Sequence, residues 1–212
     1  MFSSAIDQGQ ANTTDIELIC ISNKKFQYMD TTINTTAQCI PDALSVIIRR
    51  TSVRNYTEEP VSREDIDRIL HAAMAAPAAA RLYPWKFIVI QNREMLRYFG
   101  NALPFEKMLA ETSLAIVVCA VPKEAFAGLS EYAILACACA SQNILLAAEA
   151  LGLGAVWATV YPKKDLMNLL RLELGIPPDV IPLNIIPIGH PAGEDMPTNK
   201  YDPANIHWED WE

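Results

Sequence analysis

Histidine, glycine-rich loops and positive charge are all scarce in this chain. Its three histidines, His71, His190 and His207, are scattered over 212 residues. None falls in a His-Glu-x-x-His or other paired-ligand spacing, so no metal site is expected. The eight glycines build no Walker loop. The stretch "GLGAVW" at 152–157 follows a helical pattern and precedes a strand, the reverse of the dinucleotide fingerprint, and lacks its third glycine. It reads as a helix stop followed by a tight turn. Acidic residues outnumber basic ones 25 to 17, a formal net charge of -8. That excludes general nucleic-acid binding, which needs a basic face. Any anion must be held locally, by a few arginines or lysines.

Long apolar runs are missing too. The longest, "YAILACACAS" at 132–141, falls well short of the ~20 residues of a membrane span. No basic segment followed by an apolar stretch opens the sequence, so no signal peptide is expected and a reducing cytoplasm fits. Five cysteines are an odd number without the spacing of a secreted framework. They read as buried free thiols. No Gly-x-Ser-x-Gly elbow occurs, and no cysteine has a catalytic context. With no obvious nucleophile, metal or triad, the cluster of cationic and hydroxyl side chains at 50–54 suggests that a bound cofactor carries the chemistry.

What is present is a patterned chain, 51% hydrophobic, long enough for one substantial core. Residues 1–38 stand apart, rich in Thr, Asn, Gln and Ser. They read as an N-terminal extension, with Met29 an alternative start, ahead of a domain over 39–212. From Pro41, "PDALSVIIRR" has Leu44, Ile47 and Ile48 at helical spacing. A second helix follows Ser62, an N-cap with Asp65 three residues on, and its inner stripe is Ile66, Ile69, Leu70 and Ala73. Strands are expected over 86–91, 113–121, 155–161 and 180–191. Helices are expected over about 93–100, 130–151 and 162–175, the last two closed by Gly152 and Gly175. Pro182 and Pro187 suggest that the last strand is an edge or has interrupted pairing. Helices and strands mix without strict alternation, so the fold class is α+β. The polar, aromatic tail "NKYDPANIHWEDWE" reads as a surface arm.

Two stretches hold the functional signal. "RTSVRNY" at 50–56 crowds two arginines and two hydroxyls at a helix end, and "APAAARLYPW" at 76–85 reads as a binding loop. With "ASQNILLAAEALGLGAVWATVYP" and "IPIGHPAGEDMPTNKYDPANIHWEDW", they stand in the order and spacing of the FMN-dependent nitroreductase family. The chain resembles that family from about Ile40 to Trp211. The resemblance implies a nitroreductase-like fold, a central mixed but mainly antiparallel sheet flanked by helices. It also implies an embracing homodimer with FMN at the subunit interface. NADH or NADPH would reduce the flavin, which would pass electrons to nitroaromatics, quinones or other small-molecule acceptors in ping-pong order.

Carried over by position, Arg50, Thr51, Ser52 and Arg54 are expected to bind FMN. Arg50 and Ser52 would take the phosphate, and Arg54 the pyrimidine edge of the ring. Pro77, Ala78 and Ala79 match a loop lying against the flavin. Thr159 and Val160 match a strand end whose backbone N–H points at flavin N5. Gly189 and Lys200 match an element nearing the phosphate. Gln142 and Asn143 align near the interface, where a polar pair facing the partner chain explains them equally well. The second block departs from the family pattern, with Ala78 at a hydroxyl position, Arg81 at an asparagine position and Tyr83 at a glutamine position. Ala136 likewise replaces an aspartate. Arg81 and Tyr83 are therefore candidates for the substrate pocket, Arg81 for an acidic substrate, for nicotinamide phosphates, or for a surface salt bridge. Two functional classes follow: an oxidoreductase with altered substrate preference, or a flavin-binding protein of the same fold with little turnover.

Overall fold

The computed structural model describes residues 42–104, 107–193 and 195–211. Expectations about residues 1–38, Cys20 and Cys39 lie outside the described residues.

Helix α1, Ala43–Arg49, begins at Asp42, whose carboxylate accepts from the backbone N–H of Leu44 and Ser45. That fills donors a helix start leaves open. The Ser45 hydroxyl, with those two N–H groups, also holds the Asp42 carboxyl below the usual carboxylate range. The apolar residues that mark this helix do not enter the core. Leu44 is 66% exposed and Ile48 71%, and only Val46 is buried. Helix α2, Arg63–Met74, starts as its sequence specifies: the Ser62 hydroxyl accepts from Asp65 N–H and donates to the Asp65 carboxylate. Ile66, Ile69 and Ala73 form its buried stripe.

Strand β1, Trp85–Ile90, leads through helix α3, Arg93–Ala102, to strand β2, Leu114–Ala120. Helix α4, Ser130–Ala150, precedes the short strands β3, Gly154–Ala155, and β4, Ala158–Thr159. Helix α5, Lys164–Leu174, ends on Gly175 in the left-handed conformation, φ 65°, and strand β5 is Ile181–Gly189. The single strand expected over 155–161 is thus two short ones. Strand order is β1-β2-β5-β3, with β4 also on β5. Every pairing among the described residues is antiparallel, in keeping with the mainly antiparallel sheet expected.

β5 is interior rather than an edge, and its prolines sit where the ladder is broken. Pro182 faces β2 at the register shift between Val118 and Cys119. The Pro187 carbonyl accepts from Val156 N–H at 3.4 Å, in the interval between β3 and β4. N–H and C=O of one strand residue point the same way, so the donor Pro187 lacks falls in that gap.

β2 is buried along its whole length because both sheet faces are covered. Ile116 and Val118 pack with Ile66, Ile69, Ile144 and Ile186 on the α2–α4 face. Val117 and Cys119 pack with Leu96, Phe99, Leu170 and Ile185 on the α3–α5 face. Each fully buried Leu, Ile or Phe contributes about 1.5–3 kcal/mol relative to exposure. α4 is long and apolar enough in composition to cross a membrane. Here it is a core helix, with Ala133, Cys137, Ile144 and Ala148 buried in the α2–α4 layer.

Candidate functional site

The chain leaves α1 at Arg50 and runs extended beside β3. Val53 N–H donates to the Ala155 carbonyl at 3.1 Å, and Thr57 N–H to the His190 carbonyl at 2.9 Å. Buried Tyr56 bridges to Pro191 and donates its hydroxyl to the Val53 carbonyl at 2.6 Å. Two glycines make this close packing possible. A Cβ on Gly154 would stand 2.5 Å from Val53 Cγ1, and one on Gly189 would stand 3.0 Å from Tyr56 Cδ1 and 3.2 Å from Thr112 Oγ1. Gly189 therefore supports the first block from beneath.

The polar side chains between and before these anchors are engaged to different degrees. Arg49 is taken by Glu149 at 3.3 Å. Arg50, Thr51 and Ser52 are half-buried, and no side-chain hydrogen bond or ion pair engages them among the described residues. Among the described residues Arg54 donates only to the Ser52 carbonyl, at 3.3 Å. Arg54 opens onto a concavity of about 610 Å³ that it shares with Lys107, Met108 and Glu111. Lys107 is the residue that sequence reasoning missed. Its neighbour Met108 packs with Val53, Tyr56 and Val156, and that contact, invisible in the sequence, brings the lysine beside the arginine. A second concavity, of about 680 Å³, lies along Thr51, Gly152, Gly154 and Pro191.

Thr159 sits on the same sheet edge as Ala155. Val160 N–H donates to the Leu183 carbonyl at 3.2 Å, so it is engaged within the sheet. The alternation of an antiparallel ladder then turns Thr159 N–H away from β5, on an exposed residue. The second block stands elsewhere. Pro84 accepts from Val121 N–H at 2.8 Å, at the end of the sheet where Trp85, Ala120 and Ile181 meet. The first block lies at the other end, by Ile188 and Gly189. Seven strand residues, about 24 Å, separate those ends. Pro77 is exposed, Ala78 and Ala79 half-buried, and Arg81 and Tyr83 exposed. Lys200 belongs to the stretch 195–211, exposed throughout.

Residues 47–190 match the nitroreductase family. The chain belongs to that family. It is 42% identical over 177 residues to a provisionally named NADH dehydrogenase/NAD(P)H nitroreductase of Archaeoglobus fulgidus, covering 80% of this chain and 99% of the relative. A solved structure under the same provisional description, from Parabacteroides distasonis, superimposes with TM-score 0.76 at 44% identity, over 80% and 98% of the two chains. An FMN-dependent nitroreductase from Clostridium difficile superimposes with TM-score 0.73 at 28% identity, over 79% and 99%.

Several residues of this nitroreductase-family chain take other positions than expected. Asn143 does not stand free for a partner chain: its Nδ2 donates to the Ala72 carbonyl at 2.8 Å and ties α4 to α2. Gln142 beside it is exposed. Cys119 and Cys137 are buried as expected, and burial pushes both thiols up to about 12. Cys139 is exposed instead. Fully buried Asn184 donates to the Ser141 hydroxyl at 2.9 Å, and its Oδ1 has no partner among the described residues.

Proposed function

We propose that this protein is an NAD(P)H-dependent flavin oxidoreductase of the cytoplasm, holding FMN between two copies of the chain. Acceptors would be nitroaromatics, quinones or related small molecules, entering the same pocket as the nicotinamide in ping-pong order. The names of the family relatives support the redox class. The observation that carries the reading is local: Arg54, four residues along the chain from half-buried Arg50, lines one concavity with Lys107 and Glu111, and none of the three cations is ion-paired among the described residues.

FMN fits that arrangement. Its phosphate calls for a cation and hydroxyl donors, and half-buried Arg50, Thr51 and Ser52 supply them without giving up an internal bond. When bound, the flavin supplies hydride acceptance from the nicotinamide and electron delivery to the acceptor. Arg50 and Ser52 hold the phosphate, with Lys200 approaching from the C-terminal arm. Gly189 acts through Tyr56, keeping the first block in place. Arg54, with Lys107, sets positive charge beside the pyrimidine edge. Of the Thr159–Val160 pair, Thr159 offers the N–H at the sheet edge. Pro77, Ala78 and Ala79 come from the second copy, since in one chain they lie at the far end of the sheet. Replacing a hydroxyl with Ala78 forgoes one hydrogen bond, about 0.5–1.5 kcal/mol, too little to abolish flavin binding.

A visible spectrum of the purified protein, before and after anaerobic NADH or NADPH, tests this. A yellow protein that bleaches, and that then turns over menadione or nitrofurazone, is expected. A colourless protein that takes up no added FMN would end the reading. Bleaching without turnover would leave only a flavin-binding role.

A further inference from the structure

The loop of the second block carries a cation on a backbone that side chains avoid. In the turn Ala79–Arg81, Ala80 has φ 53° and ψ 22°, and Arg81 has φ 58°. Two successive residues with a Cβ thus occupy the left-handed region, where glycine or asparagine is at home. The surrounding structure enforces it. Leu82 N–H donates to the Ala79 carbonyl at 3.1 Å, Pro84 is tied to Val121, and Pro84 and Trp85 are buried.

What this anchored turn presents is Arg81, Leu82 and Tyr83, all exposed, Tyr83 by 54%. The Tyr83 ring centre lies 5.3 Å from that of Trp85, which braces it. A surface salt bridge would explain Arg81 without any ligand, but among the described residues its guanidinium meets no acidic side chain. Backbone strain that persists in a turn carrying an unpaired arginine two residues from an exposed aromatic ring points to recognition. An aromatic ring and a planar cation offered by one anchored turn complement an aromatic ligand bearing a carboxylate, which arginine can grip through two parallel hydrogen bonds.

We propose that Arg81 is the specificity-determining residue of the acceptor pocket, and that it selects aromatic acceptors carrying a carboxylate. The assignment rests on the flavin reading above, with the second block brought over the flavin by the partner copy. The test uses FMN-loaded protein and the variants Arg81→Asn and Arg81→Lys. Asparagine tolerates the left-handed backbone, so Arg81→Asn is expected to fold. Calorimetric titration with benzoate and with benzamide gives the binding preference directly. The wild type should favour benzoate by about ten-fold, the size of one charge-assisted hydrogen bond. Arg81→Asn should lose that preference and Arg81→Lys retain part of it. The ratio of kcat/KM for 4-nitrobenzoate over 4-nitrobenzamide should fall about ten-fold in Arg81→Asn.

Equal binding of benzoate and benzamide by yellow wild-type protein would overturn the Arg81 assignment alone. So would a raised KM for NADPH but not NADH in Arg81→Asn with nitrobenzoate selectivity intact, because the anion would then be the nucleotide's phosphate. Flavin content is read separately by absorbance, and a colourless protein would overturn both readings.

Discussion

Arg50 is held half-buried at the end of α1, and no acid neutralises it among the described residues. If it grips the FMN phosphate, Arg50→Ala should weaken flavin binding by about 1.5–3 kcal/mol, the range for hydrogen bonds to charged groups. Flavin fluorescence titration measures this, and an unchanged dissociation constant would show that Arg50 has been misplaced. The buried thiols make a different prediction. The pKa of Cys119 and of Cys137 is raised from 9.0 to about 12, chiefly by burial. Above pH 9 the unfolded chain ionises both thiols while the folded one keeps them neutral. Stability that is full below pH 9 is therefore lost between 9 and 12, by roughly 1.4 kcal/mol per pH unit per thiol. Urea unfolding midpoints at pH 8 and pH 10.5 should show the fall. At pH 7.5 iodoacetamide should label Cys139 well before these two, because the thiolate is the reactive form.

At the scale of elements, the coupling of the first block to β3 decides the site. Gly154→Ala would drive a methyl to 2.5 Å from Val53 Cγ1 and within 3 Å of two further Val53 atoms. The expected cost is about 1–3 kcal/mol of stability, as for other overpacked positions. Flavin affinity should fall with it, since Arg50–Arg54 is displaced. Chemical denaturation together with FMN titration checks both, and a variant that keeps full stability would show that Val53 yields freely. The ends of the elements were readable from the sequence. Ser62 with Asp65, and Gly175 in the left-handed region, act where local chemistry placed them. The partners of β5 were not. Two prolines suggested an edge or interrupted pairing; the strand is central and its pairing is interrupted, each missing donor coinciding with a break in a neighbouring strand.

For the whole molecule, the apolar surface is the feature that calls for explanation. Leu44, Ile47 and Ile48 face outward from α1, and Tyr201, Trp208 and Trp211 are exposed in the C-terminal arm. Clusters of this kind mark interaction surfaces. A second copy would cover them and would also bring the second block to the first. Sedimentation should give about twice the chain mass, and the pair Leu44→Glu with Ile48→Glu should shift the protein to monomer and release FMN together. A monomer that retained its flavin would sink the two-copy site.

By itself the sequence determined the helices, most of the strands, the α+β class, the family and the two blocks proposed to form the site. Those properties reside in periodicity, caps and short motifs, where the interacting residues are near neighbours in the chain. Only the tertiary structure decided that Lys107 joins Arg54, that Asn143 braces α2, and that Val160 spends its N–H inside the sheet. It also decided that the two blocks stand at opposite ends of the sheet within one chain. Each of these follows from contacts between residues far apart in the sequence, fixed by how the sheet packs, which no local pattern encodes.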